Sequence, residues 1–140
     1  MSLALSADSI TLSFPQAKAY HGVARLVVGG LAARLELSYE HLEDLQLALE
    51  SVLDGEGYVR GDRVIVQLVV ESDSVVMEIG PLDPAALGPD LEPASKDEIS
   101  LSRLLATLVE EVSLRETDDG HRLRMVKRVP MTRPEPRKNV

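Results

Sequence analysis

The sequence contains no cysteine and no tryptophan, and aromatic residues make up only 3% of its 140 residues. The absence of cysteine excludes disulfide bonds, thiol catalysis and cysteine-based zinc sites. With so few aromatic side chains, the core must be aliphatic, and a stacking surface for single-stranded nucleic acid is not expected. No apolar run has the length of a membrane span, and no basic segment followed by an apolar run opens the chain. We therefore expect a cytoplasmic protein with no membrane partner.

Acidic residues outnumber basic ones, 23 to 15, which gives a formal net charge of −8. This charge argues against nucleic acid or an anionic membrane as the main partner. Hydrophobic residues make up 44% of the chain, so a folded domain is expected, and the length fits a single domain over residues 1–129. Residues 130–140, PMTRPEPRKNV, are basic and rich in proline, and we expect a disordered tail there.

The most regular segment of the chain is 38–57, SYEHLEDLQLALESVLDGEG. Its apolar residues recur at helical spacing and form one face of a predicted central helix. They are Leu42, Leu45, Ala48, Leu49, Val52 and Leu53. Ser38 is a candidate N-cap, and Gly55 and Gly57 follow the last turn, as glycines often do at helix ends.

A polar stripe lies opposite that apolar face and consists of Glu43, Gln46, Glu50 and Asp54. Because Glu50 and Asp54 are four residues apart, their carboxylates lie one above the other on the helix. The stripe has two interpretations. It is either the solvated flank of an ordinary amphipathic helix, or a pair of carboxylates that handles a metal ion or a proton.

The remaining segments complete a predicted α+β fold. Strands are predicted at 9–14, 64–70, 75–79, 111–116 and 122–129. A helix is predicted at 16–35, and another carries an apolar face from Ile99 to Val112, with Ser95 and Glu98 at capping-box spacing. Segment 80–94 holds four of the eight prolines and is predicted to be a long loop. The fold class is a two-layer sandwich, with a mixed or antiparallel β-sheet and about three helices on one face.

Two segments carry a resemblance to a known family. FPQAKAYHGVARLVVGGLAARLELSYEHLEDLQLALE at 14–50 and TLVEEVSL at 107–114 resemble the GHKL ATPase domains found in histidine kinases. Within that group the chain looks most like the bacterial anti-sigma-factor serine kinases, through its Phe-Pro opening, Arg25 and the helix-to-helix spacing. The resemblance covers most of the chain and implies the GHKL fold.

The resemblance also implies roles for the two stacked carboxylates. In the family, a Glu on the central helix is the general base, and an Asn four residues later holds Mg²⁺ against the phosphates of ATP. These positions correspond to Glu50 and Asp54, so Glu50 matches the family and Asp54 departs from it. A carboxylate can still bind Mg²⁺, but a second negative charge disfavours nearby phosphate.

The other nucleotide-contacting positions depart further from the family. Its Asp-x-Gly-x-Gly motif corresponds to Glu78, Gly80 and Leu82, of which only Gly80 matches. Its last glycine pair corresponds to Ile99 and Leu101. Because all three nucleotide-contacting motifs are altered, we expect ATP and Mg²⁺ binding and kinase activity to be weak or lost. His21, His41 and His121 show no metal-ligand spacing and are expected to be surface or packing residues.

Three functional hypotheses follow. The first is a degenerate anti-sigma-type regulator of transcription or stress signalling, a homodimer that binds a sigma factor or a STAS-type antagonist through a surface including Arg25. The second is an active serine/threonine kinase that phosphorylates a STAS-type antagonist, with Glu50 as base and Asp54 as Mg²⁺ ligand. The third is a GHKL-shaped scaffold with an unrelated partner. The altered motifs favour the first.

Overall fold

The computed structural model of the protein describes residues 2–5, 9–92 and 100–129. The strands are β1 Ser2–Leu5, β2 Ser9–Pro15, β3 Arg63–Val70, β4 Ser74–Leu82, β5 Glu111–Thr117 and β6 Gly120–Arg128. The helices are α1 His21–Arg34, α2 Tyr39–Leu53, α3 Pro84–Leu91 and α4 Leu101–Leu108. One turn of 3-10 helix at Lys18–Tyr20 precedes α1.

All six strands form one sheet in the order β1-β2-β3-β4-β6-β5, and every ladder is antiparallel. Side chains alternate between the two faces of such a sheet. Met77 of β4, for example, lies between Leu68 of β3 and Met125 of β6, and all three are buried in the core together with residues of all four helices. The expected α+β sandwich with helices packed on one face of the sheet is confirmed.

Helix α2 supplies much of this core, as its sequence pattern predicts. Leu45, Leu49 and Val52 are buried at spacings of three and four residues. The Ser38 hydroxyl accepts a hydrogen bond from the backbone N–H of His41 at 3.2 Å, so the predicted N-cap is also confirmed. The core is aliphatic except for Phe14, the single phenylalanine of the chain, which is fully buried.

The prediction of a long loop at 80–94 is wrong for residues 80–92, the part of that segment that the structure describes. Strand β4 extends to Leu82, and α3 begins directly afterwards. The Asp83 carboxylate caps α3 by accepting a hydrogen bond from the N–H of Ala85 at 2.9 Å, and Pro84 occupies the first turn, where proline is favoured. Leu87 is fully buried and fixes α3 to the core. Pro84, one of the prolines that indicated a loop, instead belongs to the start of a short helix.

Other elements also differ from the prediction in their bounds or their presence. The helix expected to reach Val112 ends at Leu108, because Val109 takes an extended conformation and leads into β5. Strand β1 was not predicted, and α1 begins at His21 rather than at residue 16. Helix α1 continues through Gly29 and Gly30.

Some predictions fall on residues outside the described ranges. The Ser95–Glu98 capping box, Ile99 and the tail at 130–140 all lie there. Among the helices of the described residues, none combines the length and the apolar character needed to cross a bilayer.

A hydrogen bond from Tyr58 to Asp90 connects α3 to the segment that follows α2. The Tyr58 hydroxyl donates to the Asp90 carboxylate at 2.5 Å. Burial, and then the hydrogen bond and negative charge of Asp90, raise the pKa of Tyr58 to about 12. The neutral phenol is therefore the form that the folded state stabilises.

The Tyr58–Asp90 bond predicts how stability changes at alkaline pH. Because the folded pKa of Tyr58 exceeds that of the unfolded chain, this contribution is complete below about pH 10 and is lost as the pH rises towards 12. At pH 8 we expect Tyr58→Phe to lower the free energy of unfolding by about 1 kcal/mol. Urea melts of both proteins from pH 8 to 12 should show the difference shrinking, and a constant difference would contradict this account.

Candidate functional site

The candidate site residues on α1 and α2 contact each other across the seam between the two helices. The Asp54 carboxylate lies 2.8 Å from Nδ1 of His21. One turn along the seam, the Glu50 carboxylate lies 3.0 Å from the guanidinium of Arg25. One further turn along, the Gln46 side chain donates a hydrogen bond to the backbone carbonyl of Arg25 at 3.2 Å.

The spacing of these contacts follows from helix geometry. His21, Arg25 and Gly29 are four residues apart on α1, and Asp54, Glu50 and Gln46 have the same spacing in reverse on α2. Residues at this spacing share a helix face, so two antiparallel helices bring them together in pairs. In the third pair, Gly29 lies next to the side-chain amide of Gln46. A Cβ at Gly29 would be 3.4 Å from Nε2 of that amide. The polar stripe of α2 therefore runs along a helix–helix seam.

The two carboxylates of the predicted ATP site are thus engaged within the protein. The Glu50 side chain is 27% exposed and the Asp54 side chain 55% exposed, so both are accessible at the surface while paired. In the part of the chain that the structure describes, no group of three or more His, Asp or Glu side chains is arranged to hold a metal ion. The oxygen donors at Glu50 and Asp54 are two carboxylates, one paired with the Arg25 guanidinium and the other with the His21 imidazole, so they do not form an open set of ligands for Mg²⁺.

Glu78 lies on the other face of the sheet from Glu50. Its neighbours on β4, Met77 and Ile79, are fully buried on the helix side, so the alternation of the strand directs Glu78 to the opposite side. There it lies 3.8 Å from the guanidinium of Arg115 and 3.9 Å from that of Arg122. The structure therefore does not bring Glu78 together with the α2 carboxylates.

Gly80 and Leu82 pack within the protein. A Cβ at Gly80 would lie 2.8 Å from the carbonyl oxygen of His121 and 2.6 Å from Cγ of Arg122, so β6 leaves no room for a side chain here. Leu82 is fully buried in the core. Close packing of β4 against β6 accounts for the glycine that the family motif assigns to nucleotide binding.

The positions that correspond to the family's last glycine pair lie at the start of α4. Leu101 is the first residue of α4 and packs against the core as a partly buried side chain. The Ser100 hydroxyl caps the helix by accepting a hydrogen bond from the N–H of Arg103 at 3.2 Å. Ile99 lies outside the described residues. The start of α4 is thus capped by the protein's own Ser100, which lies between the two positions that the resemblance indicated.

Arg25, the expected partner-facing residue, lies at the surface of α1. Its side chain is 54% exposed even while paired with Glu50. The next residue, Leu26, is 76% exposed. The two residues form an exposed surface that combines a cation with an apolar side chain.

The structure also contains an open cleft of about 610 Å³ between α3, α4 and β5. Its apolar lining comes mainly from Leu91, Leu105, Ala106, Val109, Val112 and Leu114. Sequence reasoning missed this cleft because it assigned the α3 segment to a loop. None of its lining residues comes from α2, so the cleft is separate from the Glu50–Asp54 stripe.

Substitution of Gly80 tests whether packing or ligand approach requires a glycine there. In the absence of any nucleotide, Gly80→Ala should lower the free energy of unfolding by about 1–3 kcal/mol, because the new methyl group overlaps the backbone of β6. Gly88→Ala is the matched control, since a Cβ there meets nothing within 4 Å, and it should leave stability unchanged or raise it by up to about 1 kcal/mol. Chemical denaturation measures both, and equal stability of the two variants would contradict the packing explanation.

Comparisons with known proteins point in the same direction as the sequence resemblance. No protein-family pattern matches the chain. The chain is similar to serine-protein kinase RsbW of Listeria monocytogenes, with 29% identity over 128 residues that cover 76% of this chain and 79% of the relative. It is also similar to serine-protein kinase RsbW of Oceanobacillus iheyensis, with 41% identity over 46 residues, 33% of this chain and 29% of the relative. These similarities support the resemblance to the serine-kinase branch of the GHKL proteins, while the loss of nucleotide binding stays a prediction.

Proposed function

We propose that this protein is a regulator of the anti-sigma-factor type, which acts by binding a protein partner and has weak or no nucleotide chemistry. The observation that carries the proposal is the pairing across the α1–α2 seam, where Glu50 contacts Arg25 and Asp54 contacts His21. In this arrangement each of the two carboxylates is paired with a side chain of α1. Groups engaged in this way are poorly placed to activate a hydroxyl or to hold Mg²⁺.

Two further features of the nucleotide positions support weak or lost binding. The negative charges of Glu50 and Asp54 lie on neighbouring turns of α2 and would repel the phosphates of ATP. Leu82 fills the core at the position where the resemblance requires a glycine near the ligand. By the same resemblance, the partner would be a sigma factor or a STAS-type antagonist, and the protein would act as a homodimer.

The surface of α1 supports the choice of partner site. Arg25 offers a guanidinium that is half exposed, and Leu26 offers an apolar side chain beside it. Charged groups at a rim and an apolar anchor are the usual components of a protein-binding surface. The ion pair with Glu50 lies at the surface, where such pairs are worth only about 0.2–1 kcal/mol, so a partner carboxylate could replace Glu50 at little cost.

A working serine kinase is the second candidate, and two observations favour it. Both relatives carry the name serine-protein kinase. The Glu50 carboxylate is also accessible, so a partner that attracts Arg25 would release a potential base. A domain that serves only as a GHKL-shaped scaffold is the outcome to expect if neither partner binding nor phosphate transfer is found.

Binding to purified sigma factors and STAS proteins of the host tests the regulator. We expect at least one of them to bind, and we expect Arg25→Glu to weaken that binding about tenfold or more, because it removes the cation that meets the partner. Arg60→Glu is the charge-matched control at another exposed position and should leave the affinity unchanged. Glu50→Gln should retain binding, since it frees Arg25 without removing it. If no sigma factor or STAS protein binds, the regulator proposal fails.

A phosphorylation assay that mixes the same proteins with Mg²⁺-ATP distinguishes the regulator from the kinase. We expect no phosphoserine on any STAS protein by mass spectrometry, because the base, Glu50, is engaged with Arg25 and the metal position, Asp54, with His21. Phosphoserine that forms with the wild-type protein and disappears with Glu50→Gln would establish the kinase and contradict the loss of activity.

A further inference from the structure

Strand β5 forms one edge of the sheet. It pairs with β6 on one side, and the strand order ends at β5 among the described residues. Such an edge exposes backbone N–H and C=O groups with which an extended chain can pair. At seven residues β5 is longer than β1, the four-residue strand at the opposite edge, and it contains neither proline nor lysine, two usual protections of an edge.

An apolar surface adjoins this edge on the helix side of the sheet. Val112 and Leu114 lie opposite the buried Met125 and Leu123, so their side chains point to the helix side. Both are only partly buried, and they line the open cleft beside α3 and α4. A strand added at β5 would bring its own side chains on that face into contact with this cleft.

An acidic residue stands at each end of the apolar pair. Glu110 lines the same cleft, and Glu116 follows Leu114 by two residues on β5. The helix-side face of the edge therefore carries Glu, Val, Leu and Glu at alternate positions. Glu116 is exposed and forms no ion pair with any other residue that the structure describes.

Glu110 remains accessible although groups of the protein contact it. Its carboxylate accepts a hydrogen bond from the backbone N–H of Arg128 at 2.7 Å and lies 3.9 Å from Nζ of Lys127. Lys127 is paired more closely with Asp44, at 2.9 Å, and the Glu110 side chain is 41% exposed. Glu92 also lines the cleft, and no lysine or arginine does so among the described residues. The lining of the cleft is thus apolar with negative charge only.

We propose that β5 binds an extended segment of a partner protein that carries two apolar residues at alternate positions, with lysine or arginine two residues beyond each. The segment would add a seventh strand to the six-stranded sheet through backbone hydrogen bonds. Its apolar side chains pack on Val112 and Leu114, and its cations lie opposite Glu110 and Glu116. Apolar pairs and opposite charges directly across a ladder both stabilise it.

The same side chains disfavour a second copy of this chain as the occupant. Any antiparallel register that sets Val112 opposite Leu114 of another β5 also sets Glu110 opposite Glu116, and the symmetry repeats that like-charge pair. Like charges directly opposite each other destabilise a ladder. A basic segment converts both positions into attractive pairs, and the net charge of −8 attracts such a segment at longer range.

The other face of β5 adds little selection by charge. Glu111 and Arg115 have opposite signs and lie on either side of Ser113, so neutral polar residues of a partner suit that face. No residue of α1 lines the cleft, so this surface is separate from the one that includes Arg25. The inference does not depend on the function proposed above.

A synthetic peptide tests the proposal with the full chain. The probe is fluorescein-labelled Thr-Lys-Thr-Val-Thr-Val-Thr-Lys-Thr, in which the lysines and valines match the alternate positions of β5. Fluorescence anisotropy should show saturable binding. A peptide with glutamate in place of both lysines should bind about tenfold more weakly or worse, because like charges then face each other. N-methylation of two consecutive central residues should abolish binding, because one of the two lost N–H groups faces β5.

Variants of the protein locate the site. Leu114→Thr keeps a strand-forming side chain but removes the apolar contact, and it should weaken binding about tenfold. Glu116→Lys should weaken the lysine peptide about tenfold and should bind the glutamate peptide more tightly than the wild type does. This gain cannot arise from misfolding. Glu43→Lys is the matched control at an exposed position of α2, which contributes nothing to the cleft, and should leave both affinities unchanged.

Hydrogen–deuterium exchange identifies what occupies the edge. Addition of the lysine peptide should increase amide protection in β5. Protection of β5 that instead rises with protein concentration in the absence of peptide would identify a second copy as the occupant and overturn the proposal. The absence of saturable binding, equal affinity for the lysine and glutamate peptides, or no effect of Glu116→Lys would overturn it as well.

Discussion

The arrangement of the candidate site depends on the antiparallel packing of α1 against α2. That packing pairs positions four residues apart on one helix with positions four residues apart on the other, so His21 meets Asp54 and Arg25 meets Glu50. Each ion pair alone contributes little to stability at a surface. Together with the bond from Gln46 to the Arg25 carbonyl, they determine which groups the acidic stripe of α2 contacts.

The alternation of β4 is the second constraint. Met77 and Ile79 are buried in the core on the helix side of the sheet, so Glu78 faces the other side and meets arginines of the β5–β6 hairpin. On the hairpin, hydrogen bonds from Arg122 and Thr117 to Asp119 hold the pKa of that carboxyl below its usual value. The sheet thus separates residues that a motif alignment places in one site.

Local patterns predicted the parts of the fold that local physics determines. The cap at Ser38 and the buried face of α2 follow from side-chain type and spacing, and the structure contains both. Helix α3 was missed because its prolines were interpreted as loop residues, although Asp83 followed by Pro84 is a helix start signal. The outward position of Glu78 could have been predicted from its apolar neighbours on β4. The contact of Arg25 with Glu50 could not, because the two residues are far apart in sequence and meet only when the helices pack.

Calorimetric titration of the protein with ATP in the presence of Mg²⁺ tests the central claim most directly. If the seam engages the α2 carboxylates and the core fills the glycine positions, the wild type should give no saturable heat, and chelation of the metal by EDTA should change nothing. Saturable binding that requires Mg²⁺ and disappears with Asp54→Ala would contradict the account, because it would show that Asp54 leaves His21 to hold a metal–nucleotide complex.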